Sequence, residues 1–312
     1  MATRSCSCVF LLVLVAFQST MMKANIIIPS FQCRPVLAST RENFEFAVNL
    51  HIYKAQLFML SSIGRGINDI SPGLVEGPAP IGATIANLDN RTRNFVEESG
   101  LASIGHIRAI ADMTVLKTPF PMPQLDLRAQ VFAKFFDVIN VTLKPPFNVY
   151  ANTNSFLFAA VYASYFLEQL YAGIIPSIIG NRERELAAEI ALYEGASYGV
   201  IRSLLNDRAN LTVPPYTATV GNVTNLTAQV GNQLGGCGVK DEGLIVPLSL
   251  GAENRTTTNV IPADDNSLPY KRSALEILRI LFISGNATRP GGVFPRGVEG
   301  TLYQLFLALK QS

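Results

Sequence analysis

The sequence has few residues of the types that metal sites and nucleophilic active sites need. Only two histidines, His51 and His106, occur in 312 residues, and no two cysteines are spaced as Cys-x-x-Cys. This shortage excludes zinc fingers and ribbons, and the chain has no phosphate-binding glycine loop. Helical bundles that bind two metal ions carry Glu-x-x-His on two helices. Here Val48 and Ser103 stand three residues before the histidines, so the sequence argues against a complete two-iron centre.

Charge is also sparse, since charged residues make up 15% of the chain and hydrophobic residues 48%. The mean hydropathy of +0.26 excludes a hydrophilic, disordered protectant. The formal net charge is +2, and loss of an N-terminal segment with Arg4 and Lys23 would leave equal numbers of basic and acidic residues. A neutral chain gives no electrostatic basis for binding nucleic acid or an anionic membrane.

The only marked apolar run lies at the N-terminus, where residues 1–24 resemble a secretory signal peptide. Arg4 precedes the apolar stretch 9–17, which is too short to cross a bilayer comfortably. Cleavage is expected after Ala24 or after Thr20, and an uncleaved anchor is the alternative. No later segment has the roughly 18–20 uninterrupted apolar residues of a membrane span.

Seven Asn-x-Thr sequons fit an exported chain, in which part of them would carry glycans. They begin at Asn90, Asn140, Asn210, Asn222, Asn225, Asn254 and Asn286. Asn90 is expected to be too buried for modification, because it lies near the start of a long predicted helix. The predicted location is extracellular, in the apoplast or the cell wall.

Two cysteines remain after the signal segment, since Cys6 and Cys8 lie within it. In an oxidising compartment Cys33 and Cys237 can form one disulfide. The alternative is two unpaired thiols, because sequence spacing does not place the two residues in contact.

The pattern of apolar residues predicts an all-α protein. After an N-terminal arm at 25–37, a helical bundle at 38–234 precedes a loop-rich C-terminal extension at 235–312 that packs on it. The predicted helices are 38–63, 84–117, 128–139, 153–179, 182–208, 217–233, 273–284 and 299–310. Four long helices with a long crossover between the second and third fit a ferritin-like four-helix bundle.

The inward-facing residues of this bundle include a small set of metal-ligand candidates. On the second long helix, Val96, Ser99, Ser103, His106 and Ile110 follow a heptad-like seam. A degenerate metal or redox site would use Glu97, Glu98, His106 and Glu194. The alternatives are a solvated Glu97–Glu98 pair and a His106 that only packs in the core. His51 is expected at the surface.

Lys54 occupies a core-facing position on the first helix, between Leu50 and Leu57. We expect its ammonium group to replace the charge of a metal ion by pairing with Glu194 or Glu98, since a buried carboxylate needs a partner. The alternative is that Lys54 extends to the surface.

Several blocks of the sequence resemble the plant desiccation-related proteins of the PCC13-62 type, in the ferritin-like superfamily. They are the segments 80–110, 201–216, 239–260 and 270–297, and the resemblance covers nearly all of the chain beyond the signal segment. The family usually has acidic residues at the positions of Lys54 and Gln56. It has Glu-x-x-His where this chain has Ser103 and His106, and it keeps a glutamate at Glu194, followed by a polar residue where Ser197 stands.

The sequence and the resemblance together predict a secreted, glycosylated, stress-related protein without enzymatic activity and without a cofactor. The first alternative is a residual metal-binding or redox protein that uses iron or manganese. The second is a binding module whose aromatic third helix, with Phe158, Tyr162 and Tyr165, lines a pocket for a small molecule. A cell-wall component or a small molecule is the expected kind of partner.

Overall fold

A computed structural model of the chain describes Cys33 and residues 36–114, 116–245 and 259–309. The predicted signal peptide at 1–24 and the sequon at Asn254 lie outside the described residues.

Four long helices form the centre of the molecule. They are α1 (Thr40–Ser62), α3 (Asn90–Thr114), α5 (Thr153–Ile174) and α6 (Asn181–Asp207). α1 packs along α3 and α5 packs along α6, while contacts from α1 to α5 and from α3 to α6 close the bundle. The predicted all-α four-helix bundle is confirmed.

The long helices start where the sequence supplies a capping side chain. Ser39 and Glu42 form a reciprocal capping box at the start of α1, and the side chain of Asn152 accepts from the backbone N–H of Ser155 at the start of α5. α1 and α5 are buried on almost every face. Polar residues on these two helices therefore have to find partners inside the bundle.

Short elements lie between the long helices. α2 (Ile67–Ile70) and β1 (Val75–Glu76) follow α1, and the crossover from α3 to α5 contains β2 (Phe120–Pro121) and α4 (Ala129–Asp137). The strands β1 and β2 pair in parallel. This crossover lets α3 and α5 belong to different helix pairs of the bundle.

The two largest errors among the predicted helix boundaries lie at the start of the second long helix and at the end of the third. Residues 84–89 are not helical, because their backbone bonds to other segments. The N–H of Ala86 donates to the backbone carbonyl of Ser61, and the N–H of Asn87 donates to the backbone carbonyl of Tyr150. The third long helix ends at Ile174 and continues as a 3₁₀ turn at Ile175–Ser177, which contains a proline.

The C-terminal part of the chain packs on the bundle through α7 (Val220–Gly235), α8 (Ala274–Leu281) and α9 (Thr301–Leu309). α7 contacts α8, α4 and α6, and α9 contacts α1. Among the described residues, no helix combines the length and apolarity needed to span a bilayer.

A buried arginine attaches the loops of this C-terminal part to α6. The guanidinium of Arg202 donates to the backbone oxygens of Val260, Gly243 and Asn259, and it lies 3.4 Å from a carboxylate oxygen of Asp241. Because one side chain satisfies three carbonyl groups, it orders loops that have no regular secondary structure.

Candidate functional site

The polar side chains of the four long helices meet in the middle of the bundle. α1 contributes His51 and Lys54, α3 contributes Ser99 and His106, α5 contributes Ser164 and Tyr171, and α6 contributes Glu194 and Ser197. Bundle proteins place metal and cofactor sites at this position, so we treat this cluster as the candidate site.

An ion pair joins α1 to α6 at the centre of the cluster. Nζ of Lys54 lies 2.5 Å from Oε2 of Glu194, and both side chains are 0% exposed. The ammonium group also donates to Oγ of Ser197 at 3.3 Å and lies 5.6 Å from the ring centroid of Phe58. Burial lowers the pKa of Lys54, and the Glu194 carboxylate opposes that shift.

Serine hydroxyls occupy the remaining inner positions around this ion pair. Oγ of Ser197 lies 2.7 Å from Oγ of Ser99 and 3.3 Å from Oγ of Ser164, which links α6 to α3 and α5. The hydroxyl of Ser103 is buried without a hydrogen-bond partner. These small neutral groups lie where carboxylates would be needed to balance metal charge.

The two histidines approach the other oxygen of the same carboxylate. Nδ1 of His106 lies 3.3 Å and Nδ1 of His51 lies 3.9 Å from Oε1 of Glu194. The imidazole rings are 5.2 Å apart in an edge-to-face arrangement. Burial, together with the nearby His106 and Lys54, holds the pKa of His51 well below its usual value, so His51 is neutral.

One tyrosine orients His51, and another lies beside His106. The hydroxyl of Tyr171 is 3.0 Å from Nε2 of His51. The ring of Tyr193 stands edge-to-face against His106, with centroids 5.1 Å apart. The side chain of His106 is 16% exposed, whereas those of His51 and Glu194 are 0% exposed. Small molecules would therefore reach the site from the side of His106 and Tyr193.

The structure brings together only part of the predicted ligand set. His106 and Glu194 are in the cluster, while Glu98 is exposed and Glu97 is half-buried. The expectation of a surface position for His51 was wrong, because His51 is fully buried against Tyr171. The helical spacing of His51 and Lys54, one turn apart, was the signal that the sequence offered for this histidine.

Three further expectations concern residues away from this cluster. A disulfide joins Cys33 to Cys237 and ties the segment before α1 to the loop after α7. The expectation that Asn90 is buried was wrong, because its side chain is exposed at the first residue of α3.

The aromatic cavity beside Phe158 and Tyr162 has a volume of only about 20 Å³, which leaves room for about one water and does not favour a small-ligand pocket there.

The residues present do not fit a two-metal centre. Such a centre requires about four carboxylates and two histidines. Among the described residues, the only group of His, Cys, Asp or Glu side chains with metal-ligand spacing is His51, His106 and Glu194. The single carboxylate of this group is already paired with the ammonium of Lys54. One negative charge beside one positive charge cannot balance two divalent ions in a buried site.

Comparison with known proteins places the chain among ferritin-like proteins. A family model described as a ferritin-like domain matches residues 40–207. "Ferritin-like catalase Nec2" from Nesocodon mauritianus is 38% identical over 265 residues, which cover 84% of this chain and 84% of that protein. "Desiccation-related protein PCC13-62" from Craterostigma plantagineum is 36% identical over 258 residues, which cover 82% of each. No solved structure matches the chain significantly.

Proposed function

This chain belongs to the ferritin-like family, and from that premise we propose that it is an exported desiccation-related protein whose bundle no longer performs two-metal redox chemistry. The observation that carries the proposal is the buried ion pair between Lys54 and Glu194. The ammonium group of Lys54 binds the only carboxylate of the cluster and takes the place of a metal cation. The negative charge of Glu194 is therefore balanced by another side chain of the bundle.

A serine supports the same conclusion. Ser103 stands where the family resemblance implies the glutamate of Glu-x-x-His, and its hydroxyl group neither carries negative charge nor binds iron or manganese strongly. A protein without bridging carboxylates has no means of holding two ions at a fixed spacing. The function that remains is that of a stable, non-enzymatic protein of dehydration stress.

Export is the second part of the proposal. The N-terminal 24 residues have the pattern of a signal peptide, and the disulfide between Cys33 and Cys237 is of the kind that persists in oxidising compartments. Protein recovered from the extracellular fluid of plant tissue should have a mature N-terminus near residue 21 or residue 25, whereas protein found only inside the cells would contradict export.

The proposed loss of redox chemistry is tested by loading purified protein with Mn(II) or Fe(II). Peroxide decomposition and Fe(II) oxidation are then measured. We expect rates no higher than those of the Glu194→Gln variant. The relative named as a ferritin-like catalase provides the positive control under the same loading conditions. Turnover that approaches the rate of this relative, and that is lost in Glu194→Gln, would overturn the proposal.

A complementary experiment restores the missing ligands. The combined substitutions Lys54→Glu, Ser103→Glu, Ser164→Glu and Ser197→His create a Glu on two helices and Glu-x-x-His on the other two. We expect this variant to bind two metal ions per chain and the parent protein not to do so. Two bound ions in the parent would contradict the proposal.

A residual peroxide-decomposing enzyme is the second candidate. It is favoured by one observation, namely that His106 and Glu194 face each other at 3.3 Å in a chain 38% identical to a protein named as a catalase. The same assay distinguishes the two candidates, because this second function requires metal-dependent turnover that disappears in His106→Ala.

A further inference from the structure

We infer that His51, His106 and Glu194 form a site for a single divalent transition-metal ion. The site differs from a two-metal bundle centre in the number of ions, in the use of His51 and in the absence of bridging carboxylates. This inference goes beyond the proposed function, which concerns two-metal turnover. Either can fail without the other. Absence of any bound ion would overturn the inference and leave the proposed function standing, whereas one bound ion with metal-dependent turnover would overturn the proposed function and leave the inference standing.

The first argument is that three buried ligand atoms converge without hydrogen-bond partners. One ligand atom from each of His51, His106 and Glu194 lies within 4.8 Å of the other two. Nδ1 of both histidines and Oε1 of Glu194 are buried, and none of these three atoms makes a hydrogen bond. Unpartnered buried polar atoms each destabilise the fold by about 1–3 kcal/mol. Three of them pointing at one place indicate that a bound group satisfies them together.

The second argument is that the distances suit one ion. Oε1 of Glu194 is 3.3 Å from Nδ1 of His106 and 3.9 Å from Nδ1 of His51. Two atoms that bind the same ion can be no farther apart than twice the metal–ligand bond length, which is about 2.0–2.2 Å. Both separations are shorter than this limit. A single ion can therefore contact this oxygen together with either histidine.

The third argument is that His51 is held in the orientation of a ligand. The hydroxyl of Tyr171 lies 3.0 Å from Nε2 of His51. When Nε2–H donates to this hydroxyl oxygen, Nδ1 keeps its lone pair directed towards Glu194. Metal-binding histidines have such a partner on their second nitrogen, since it fixes both the tautomer and the ring.

The donor set and the neighbouring charge define the kind of ion. Two imidazole nitrogens and one carboxylate oxygen suit Zn²⁺, Co²⁺, Cu²⁺ or Fe²⁺ and not Ca²⁺ or Mg²⁺, which require mostly oxygen ligands. Oε2 of Glu194 is taken by Lys54, so the carboxylate would bind through Oε1 alone. The ammonium of Lys54 opposes a cation at this distance and lowers the affinity of the site.

The experiment uses tag-free, full-length mature protein stripped with chelator and titrated with Co²⁺, followed by Zn²⁺ competition. We expect one equivalent of Co²⁺ per chain, with the visible absorption bands of low-symmetry cobalt. His51→Ala and His106→Ala should each weaken Co²⁺ binding by at least about a hundredfold, because loss of a direct ligand exceeds the 10–100-fold effect of removing its hydrogen-bond partner. Tyr171→Phe should weaken it by about tenfold.

Matched variants keep the inference falsifiable. Glu185→Ala removes an exposed carboxylate from the same helix as Glu194 and should leave binding unchanged. Lys54→Met should tighten binding by at least about tenfold, because it removes the competing charge. Each variant is first checked by circular dichroism. No Co²⁺ spectrum at millimolar metal, two equivalents per chain, or full affinity in a folded His51→Ala variant would each overturn the inference.

Discussion

Lys54 and Glu194 form an ion pair across the centre of the bundle, with Nζ 2.5 Å from Oε2 and no exposure of either side chain. The two residues come from α1 and α6, so the pair joins the first long helix to the last. Their mutual attraction offsets the free-energy cost of moving two charges out of water, which is several kcal/mol for each ion. The pair is therefore sensitive to the loss of one partner and much less sensitive to the loss of both.

This sensitivity can be measured with a double-mutant cycle in the presence of EDTA. Lys54→Met leaves a buried carboxylate unpaired and should lower the free energy of unfolding by about 3–5 kcal/mol. Glu194→Gln should have a similar effect, and the double variant should lose clearly less than the sum of the two. The measurement is urea unfolding followed by circular dichroism.

An exposed pair on the same helix provides the control. Arg41 and Glu45 lie 2.8 Å apart, but Arg41 is 70% exposed. Arg41→Met should therefore change the free energy of unfolding by less than about 1 kcal/mol. Additive effects of Lys54→Met and Glu194→Gln would show that the buried pair is not coupled as the structure indicates.

The sequence predicted the four long helices because their apolar positions repeat with helical spacing and their first residues can be capped, as at Ser39. It did not predict where the second helix begins. Residues 84–89 carry no strong turn signal, and their backbone is held by tertiary hydrogen bonds to Ser61 and Tyr150. Local pattern cannot reveal contacts between segments distant in the chain.

The sequence also predicted only some residues of the candidate site. Lys54 and Glu194 stood out because charged residues occupy core-facing positions of amphipathic helices, where burial requires a partner. His51 did not stand out, since α1 is buried on nearly all faces and its pattern does not separate an inner from an outer side. The partner of His51, Tyr171, lies on another helix and only the tertiary structure brings the two together.

The disulfide between Cys33 and Cys237 should be a major contributor to stability. The two cysteines are separated by 204 residues, and closing so long a loop in the unfolded chain corresponds to about 5 kcal/mol in the chain-entropy model. We expect the Cys33→Ser, Cys237→Ser double variant to unfold at a clearly lower temperature in calorimetry. Mature protein that contains two titratable thiols before reduction would contradict this assignment.

A sequon should carry a glycan where the side-chain amide of its asparagine is exposed, and should lack one where that amide is hydrogen-bonded within the fold. The side chain of Asn225 accepts from the backbone N–H of Leu244 and Ile245 and donates to the carbonyl of Ile245. A glycan would replace one of the two hydrogens on this nitrogen, which lies 2.6 Å from the carbonyl oxygen of Ile245 and has little room for a sugar, so Asn225 should be unmodified. Asn222, three residues earlier on α7, is exposed and should carry a glycan. Glycopeptide mapping of protein secreted from plant cells checks both sites, and a glycan on Asn225 would contradict the assignment.

Glu168 on α5 should contribute a loss of stability as the pH rises from about 4.5 to 8. Burial raises the pKa of this carboxyl from 4.5 to about 8, and its Oε2 has no hydrogen-bond partner. The nearby Tyr165 and Tyr198 are neutral, because burial raises the pKa of each phenol well above 10. In this pH range the unfolded chain releases the proton while the folded chain retains it, so rising pH favours unfolding.

The variant Glu168→Gln isolates this contribution, because glutamine is an uncharged group of the same shape. At 1.36 kcal/mol per pKa unit, the wild-type protein should lose up to about 5 kcal/mol more than the variant between pH 4.5 and pH 8. Urea unfolding at several pH values measures the difference, and all other titrating groups cancel in the comparison. The exposed Glu189 on α6 gives the control, since Glu189→Gln should follow the wild-type curve. Equal slopes for wild type and Glu168→Gln would mean that Glu168 is ionised in the folded protein at neutral pH, with a cationic or hydrogen-bonding partner that stabilises its charge.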